Sequence, residues 1–312
     1  MYTSIAFIII GLALLVFGGD WLVDGAVGIA QRAKLSPMVI GLTIVAFGTS
    51  APELLVSIQA ALGGNPGIAL GNVVGSNIAN IALILGVTAL IHPIPVAGNT
   101  IKIDAPFLVF STVALTLISY LCGALNRIEG ILGLLMLLVF IGYQIRSTRA
   151  ANTQAEVPAD EAPTMPVWKA IILLVLGIAA LKYGAQWLVD GAVTIASALG
   201  VDDRIIGLTI VAIGTSLPEL FASVIAARKG NVDLAVGNVV GSNLFNIMCV
   251  LSASCAISPI DAIPAGFTSD CLWMLALTLL IWFQLRTDYR LTRTEGGVLL
   301  CTYITFLVLT II

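Results

Sequence analysis

The sequence GLTIVAFGTSAPEL at residues 41–54 occurs again as GLTIVAIGTSLPEL at residues 207–220, with 12 of 14 positions identical. A second stretch follows each copy: ALGNVVGSNIANI at 69–81 and AVGNVVGSNLFNI at 235–247 share 10 of 13 positions. Both pairs are separated by 166 residues. Self-similarity at one fixed offset indicates an internal repeat, and this repeat decides how the rest of the chain is interpreted.

The composition indicates that the repeats lie in a membrane. Of 312 residues, 59% are hydrophobic and 10% are charged, and the mean hydropathy is +1.07. Soluble proteins contain about 25% charged residues. The net charge of −3, with no basic patch, excludes nucleic-acid binding. The five cysteines form no CxxC pair and no metal-ligand spacing, so we interpret them as apolar packing residues.

Ten apolar runs divide the chain, and they are continuous rather than alternating, which favours helices over barrel strands. The first run lacks a basic leader and a cleavage site, so it is interpreted as a span. The sequence therefore predicts an all-α integral membrane protein with ten transmembrane helices. These runs lie near residues 4–30, 37–62, 68–91, 104–122, 130–145, 167–196, 204–227, 234–256, 271–285 and 296–312.

The offset of 166 residues continues well beyond the two motifs. It relates WLVDGAV at 21–27 to WLVDGAV at 187–193, and Glu-Gly at 129–130 to Glu-Gly at 295–296. Each half then contains five spans. Because five is odd, the second half must cross the membrane in the opposite sense. This predicts two inverted-topology five-helix repeats, an architecture typical of secondary transporters.

The distribution of basic residues predicts the orientation. With both termini extracytoplasmic, eleven Lys and Arg residues lie on the cytoplasmic side and only Arg127 and Arg204 lie on the other. This positive-inside bias predicts a multi-pass protein of the cell (inner) membrane. A polar, proline-containing stretch is interpreted as a cytoplasmic linker. The predicted units are a first repeat at 1–146, the linker at 147–166 and a second repeat at 167–312, with duplicated core segments near 37–91 and 204–256.

Two glutamates lie within the apolar cores. Glu53 and Glu219 occupy equivalent positions in the two copies, and a carboxylate at mid-bilayer costs roughly 2.5–3.5 kcal/mol on insertion scales. Pro52 and Pro218 precede them and each removes a backbone donor, which predicts a broken helix with exposed carbonyl groups beside each carboxylate. Hydroxyl and amide side chains accompany both glutamates at helical spacing. They are Thr49, Ser50, Asn72, Ser76 and Asn80 in the first copy, and Thr215, Ser216, Asn238, Ser242 and Asn246 in the second.

The donors gathered around the glutamates are all oxygen atoms. His92 precedes Pro93 at the end of a span and is interpreted as a loop residue. Soft metals prefer thiolate or imidazole ligands, whereas Ca²⁺ takes six to eight oxygens and Mg²⁺ dehydrates reluctantly. Two carboxylates balance one Ca²⁺, or several Na⁺ together with neutral dipoles. The pattern therefore predicts a site for hard cations.

The paired GTS-x-PEL and GN-x-x-GSN-x-x-N segments resemble the α-repeats of the calcium/cation antiporter superfamily, and most closely those of bacterial and archaeal sodium/calcium exchangers, including YrbG-like inner-membrane proteins. The resemblance covers essentially the whole chain. It implies that Ca²⁺ and Na⁺ are the substrates, with the lipid bilayer as the surroundings and no resident cofactor. It also implies these ligand residues: Glu53, Glu219, Thr49, Thr215, Ser50, Ser216, Ser76, Ser242, Asn80, Asn246 and the backbone carbonyls of Ala46 and Ala212.

The chain departs from this family at one position. Certain archaeal relatives carry Asp where this chain has Asn246, so two acids rather than three are expected at the site. A linker of about 20 residues is also too short for the cytosolic regulatory domain of animal exchangers. Asp20, Asp24 and Asp190 are interpreted as helix-end charges, and Lys182 as a snorkelling side chain.

These residues favour a secondary antiporter that exchanges Na⁺ for Ca²⁺. The alternative is a proton-coupled or K⁺-assisted Ca²⁺/cation antiporter, in which the same glutamates take up protons or a further cation binds. An intramembrane enzyme would need a nucleophile–base pair or a metal triad, which two symmetric Glu-Thr-Ser clusters do not supply. A channel would show flux without exchange, and the predicted inverted repeat argues against it.

Overall fold

The computed structural model describes residues 2–154, 165–201, 210, 212–264 and 266–311, and this part of the chain is almost entirely helical. A two-residue strand pair accompanies the helices. In chain order the elements are α1 (Tyr2–Ala33), α2 (Pro37–Thr49), α3 (Ala51–Leu62), α4 (Gly67–Ile91), β1 (Ile94–Pro95), α5 (Thr100–Cys122), α6 (Arg127–Gln154), α7 (Val167–Ala198), α8 (Ala212–Thr215), α9 (Leu217–Arg228), α10 (Val232–Ile257), α11 (Phe267–Asp288), β2 (Arg290–Leu291) and α12 (Arg293–Ile311).

The structure confirms the all-helical membrane class. Among the described residues, seven helices are long and apolar enough to cross a bilayer, and the α2–α3 pair, bent by 48°, brings the total to as many as eight. Ten spans and the inverted relation of the halves stay predictions. The predicted run 204–227 begins among residues outside the described ranges, and so does Arg204. Helix α6 continues to Gln154, inside the predicted linker, of which 155–164 also lie outside the described residues.

Helices α1 and α7 pack against each other along their length. Gly11 of α1 lies against Gly184 of α7, and Gly25 lies against Leu174, so the two helices run antiparallel. A Cβ atom added at Gly25 would lie 2.5 Å from the backbone nitrogen of Leu174. Glycine is therefore required for this close approach, as is common where helices meet in membranes.

Helices α4 and α10 form the centre of the protein and are the most buried spans in the described chain. Each contains one π-helical turn, at Ala79–Ile84 and at Asn246–Leu251. Such wide turns leave backbone groups outside the regular helical ladder and are frequent at functional sites. Helix α12 packs on α4, α6 packs on α10, and α2 crosses α10. The duplicated motifs therefore meet in the interior, where they can form one site.

Two short backbone contacts join the first half of the chain to the second. Strands β1 and β2 pair antiparallel, with Ile94 opposite Leu291. Elsewhere Leu125 and Ile260 exchange a pair of hydrogen bonds of 2.9 and 2.8 Å between their backbones. We call these contacts the two backbone bridges. They fasten loops that flank α5 and α11 on both sides of the helical core.

Candidate functional site

In both copies of the motif the helix is interrupted at the equivalent serine. Ser50 (φ −87°, ψ 4°) separates α2 from α3, and Ser216 (φ −92°, ψ 2°) separates α8 from α9. Pro52 cannot donate a hydrogen bond to the carbonyl four residues earlier, which weakens the helix at this point. The break places Glu53 in the first turn of α3 and Glu219 in the first turn of α9. The predicted helix break is thus present in both copies.

The two glutamates are buried and face one region. Their exposed fractions are 4% for Glu53 and 2% for Glu219. Ser50 Oγ of the first copy donates a hydrogen bond to Glu219 Oε1 of the second copy, at 3.4 Å. The Oε2 atoms of both glutamates have no hydrogen-bond partner among the described residues. Buried carboxylates that repel one another need a positive partner, and a cation bound between them would supply it.

Two asparagines hold the backbone that carries the glutamates. Asn72 Nδ2 donates to Glu53 O (3.3 Å) and to Ser57 Oγ (2.9 Å). In the second copy Asn238 Nδ2 donates to Ser223 Oγ (2.9 Å) and to the backbone oxygen of the equivalent glutamate (3.3 Å). The broken segment is therefore attached in the same way to α4 in one copy and to α10 in the other.

Four asparagines meet where α4 and α10 cross. Asn80 Nδ2 donates to Asn243 Oδ1 (3.2 Å), and Asn246 Nδ2 donates to Asn77 Oδ1 (3.1 Å). The Oδ1 atoms of Asn80 and Asn246 have no partner among the described residues, and both side chains are 1% exposed. Ser242 Oγ is also buried without a described partner. These oxygens, with those of the glutamates, fit the donor set that a hard cation requires.

The hydroxyl of Thr49 is turned towards backbone and amide oxygens. Its Oγ1 lies 3.2 Å from Val45 O, 3.3 Å from Ala46 O and 3.3 Å from Asn238 Oδ1. Ala46 O also accepts a 2.9 Å hydrogen bond from Ser50 N. Ser50 N thus occupies one acceptor position of the Ala46 carbonyl. The single hydroxyl proton of Thr49 can be donated to only one of its three neighbouring oxygens, so the second acceptor position of Ala46 O is open to a cation when Thr49 donates elsewhere.

The second copy differs in its backbone bonding. Ser216 N donates to Ile213 O at 3.1 Å, three residues back, rather than to the residue four back as in the first copy. Thr215 is exposed where Thr49 is buried. The predicted ligand Thr215 therefore lies in a more open part of the structure than Thr49.

Two cavities reach this open part. One, of about 230 Å³, runs along α7, and the other, of about 310 Å³, lies between α4, α11 and α12. Both include Asn72 and Thr215 in their walls. The first is lined by Pro52, Glu53, Val56, Asn72, Lys182, Ala185, Gln186, Val189, Asp190, Gly214, Thr215 and Pro218. The second has Ser76 and Asp270 in its wall. Asp190, interpreted from sequence as a helix-end charge, and Lys182, interpreted as a snorkelling side chain, therefore lie in the wall of the same cavity as Glu53.

On the opposite side α1 closes against α9. A Cβ atom at Gly19 would overlap with Ile225 Cδ1. Lys229 Nζ forms ion pairs with Asp20 (3.1 Å) and Asp24 (2.8 Å) of α1. Partial burial lowers the pKa of Lys229, but hydrogen bonds to the two aspartates outweigh it, and the pKa lies above its usual value. Asp20 and Asp24 are thus partners of a lysine and not isolated helix-end charges.

Replacing Lys229 by Gln is expected to change stability little. The three side chains are 31–49% exposed, and exposed ion pairs contribute about 0.2–1 kcal/mol. The thermal unfolding midpoint in detergent should therefore stay close to that of the unmodified protein. A large fall would mean that the α1–α9 contact depends on this lysine far more than its exposure indicates.

The structure thus brings together residues from both predicted clusters. Glu53, Glu219, Thr49, Ser50, Asn80, Asn246 and Ser242 are buried around one region, Ser216 is buried at the second helix break, and Thr215 and Ser76 lie at its cavities. Sequence reasoning did not single out Asn77, Asn243, Ser57 or Ser223. A signal was available in the sequence, because the offset of 166 residues relates Asn77 to Asn243 and Ser57 to Ser223.

Comparison with known proteins gives matches along the whole chain. A family model described as sodium/calcium exchanger protein matches residues 3–148 and again 169–312. CaxA of Alkalimonas amylolytica is 46% identical over 97% of both chains. The sodium/calcium exchanger MaX1 of Methanosarcina acetivorans is 36% identical over 96% of both. The inner membrane protein YrbG of Escherichia coli is 34% identical over 90% of this chain and 88% of its own.

A solved structure has the same fold. The sodium-calcium exchanger NCX_Mj, soaked without Na⁺ and Ca²⁺, superposes with a TM-score of 0.84 at 32% identity, over 97% of each chain. A further structure of that protein, soaked with Na⁺ and Sr²⁺, superposes with a TM-score of 0.83. The helix arrangement described above is therefore that of a known membrane exchanger.

Proposed function

Because the chain belongs to the sodium/calcium exchanger protein family, we propose that it is a secondary-active antiporter that exchanges Na⁺ for Ca²⁺ by alternating access. The observation that carries this proposal is the pair Glu53 and Glu219. They come from the two copies of one motif, both are buried, and each leaves a carboxylate oxygen without a described partner. Such a pair is costly unless a cation neutralises it.

The proposed cage combines charge with neutral oxygen donors. Ca²⁺ would be held mainly by the two carboxylates, and Na⁺ by subsets of the same donors with the hydroxyl and carboxamide groups around them. No resident cofactor is proposed, since the cations are the substrates. Because the carboxylates cannot be left uncompensated in a low dielectric, the empty cage is unfavourable to occlude. The protein would then change its accessible side only with ions bound, which yields exchange rather than leakage.

The proposed orientation follows the predicted topology. With ten spans in two inverted repeats and extracytoplasmic termini, both cavities lie on the extracytoplasmic half of an inner-membrane protein. The contact between α1 and α9, with the Lys229 ion pairs, then lies on the cytoplasmic half. Movement of the α1–α7 pair across the core would close the cavities on the extracytoplasmic half and open the α1–α9 contact on the cytoplasmic half.

Transport of ⁴⁵Ca²⁺ into proteoliposomes tests the proposal. Vesicles loaded with Na⁺ and diluted into Na⁺-free buffer should take up Ca²⁺, whereas a pH gradient alone should drive little uptake. Parallel vesicles with K⁺ on one side test for K⁺ assistance. Uptake driven only by the pH gradient would replace Na⁺ coupling with proton coupling. Flux without a counter-ion would contradict antiport altogether.

A further inference from the structure

We propose that Asn77 is a positioning residue that fixes which atom of the Asn246 carboxamide faces the bound cation, and that Asn243 does the same for Asn80. The inference rests on the proposed function, since it concerns the cations of that cage. Neither Asn77 nor Asn243 is proposed to touch an ion. Their role is to decide whether an oxygen or an NH₂ group is presented to it.

The orientation of Asn246 follows from one backbone group. Asn77 Nδ2 donates to Asn243 O at 3.4 Å and lies 3.4 Å from Met274 Sδ. A backbone carbonyl can only accept, so the NH₂ end of Asn77 must face it. Asn77 Oδ1 then faces Asn246 and accepts from its Nδ2 at 3.1 Å. The remaining atom, Asn246 Oδ1, is left buried without a described partner.

The second asparagine pair is built differently. Asn243 Oδ1 accepts from Asn80 Nδ2 at 3.2 Å, which again leaves the Oδ1 atom of the ligand amide without a described partner. Asn243 Nδ2 itself, however, has no partner among the described residues. The orientation of Asn246 is thus anchored to a backbone carbonyl, whereas that of Asn80 depends on one amide–amide bond. All four side chains are at most 1% exposed, so water does not compete strongly for these bonds.

The chemical consequence concerns cation affinity. A carboxamide is a cation ligand only through its oxygen, and its NH₂ group repels a cation at the same position. Without Asn77, the Asn246 amide could rotate, and part of the population would present NH₂ to the ion. Residues that orient metal ligands in this way typically influence metal affinity by roughly 10–100-fold.

The test is a double-mutant cycle between Asn77→Leu and Asn246→Asp, measured as the Ca²⁺ concentration for half-maximal ⁴⁵Ca²⁺ uptake. In the unmodified background Asn77→Leu should raise this concentration roughly 10–100-fold. In the Asn246→Asp background it should have a much smaller effect, because both oxygens of a carboxylate accept and orientation no longer matters. Loss of folded protein lowers the maximal rate but leaves the half-saturating concentration unchanged.

Asn99→Leu, at an exposed position in the helical turn that leads into α5, is the matched control and should leave uptake unchanged. An equal effect of Asn77→Leu in both backgrounds, or no effect in either, would overturn the inference. If the Asn77 variant does not insert, the same double-mutant cycle is measured for the second pair, with Asn243→Leu and Asn80→Asp. Asn243→Leu should then have a much smaller effect in the Asn80→Asp background than in the unmodified one. Absence of Ca²⁺ exchange in the unmodified protein would instead overturn the proposed function, so the two failures are distinct.

Discussion

Replacing either Glu53 or Glu219 by Gln is expected to abolish Na⁺-driven Ca²⁺ uptake. Glutamine keeps the size of the side chain and one carbonyl oxygen but removes a unit of negative charge. One unit charge about 4 Å from another contributes roughly 4 kcal/mol at an effective dielectric constant of 20. This corresponds to roughly three orders of magnitude in affinity. The measurement that checks this prediction is ⁴⁵Ca²⁺ uptake by each variant in proteoliposomes loaded with Na⁺.

The variants should still insert and fold, because glutamine avoids the cost of a buried charge. Size-exclusion profiles in detergent test this point separately from transport. Asp261→Asn, which also removes one carboxylate but in an exposed loop, is the matched control and should retain full uptake. Uptake that persists in both glutamine variants would exclude the two glutamates as the centre of the cage.

Replacing Gly237 by Ala is expected to destabilise the protein strongly. A Cβ atom there would lie 2.5 Å from Met38 O and 3.1 Å from Leu42 N, both backbone atoms of α2. Backbone atoms cannot rotate aside, so α10 and α2 would have to separate. Overpacking of this kind costs about 1–3 kcal/mol, and occasionally more. We expect a lower thermal midpoint, measured by intrinsic fluorescence in detergent, and less folded protein after purification.

A second glycine provides the comparison for this variant. Gly142 lies within α6, and a Cβ atom there would meet nothing within 4 Å. Gly142→Ala should therefore be neutral or raise stability by roughly 0.5–1 kcal/mol, through the better helix propensity of alanine. Equal midpoints for Gly237→Ala and Gly142→Ala would mean that the α2–α10 crossing is looser than its distances indicate.

Sequence predicts well those features that depend on composition and local covalent constraint. Apolar runs identify spans because polar side chains are costly in the hydrocarbon core, and the spans are helical because lipid offers no partner to unpaired backbone groups. Pro52 and Pro218 predict a helix break because proline lacks a donor, and the structure places breaks beside them at Ser50 and Ser216. Glu53 and Glu219 stand out because a carboxylate in an apolar span is costly.

Features that depend on relative placement could not be predicted in this way. Thr49 and Thr215 occupy nearly identical sequence contexts, yet one is buried and the other is exposed at two cavities. This difference depends on which helices pack beside each threonine, and the local sequence does not specify that packing. Asn77 and Asn243 share one motif position, but only the folded arrangement shows that they bond to the asparagines of the opposite copy.

The two backbone bridges have a mechanical consequence. They connect residues of the first half to residues of the second at Ile94–Leu291 and at Leu125–Ile260. Sliding or twisting one half as a rigid body against the other would break backbone hydrogen bonds at both places and leave polar groups unpaired. The halves are therefore fastened into a single rigid frame. Neither α1 nor α7 takes part in a bridge, so this pair retains the freedom to shift while the frame stays still.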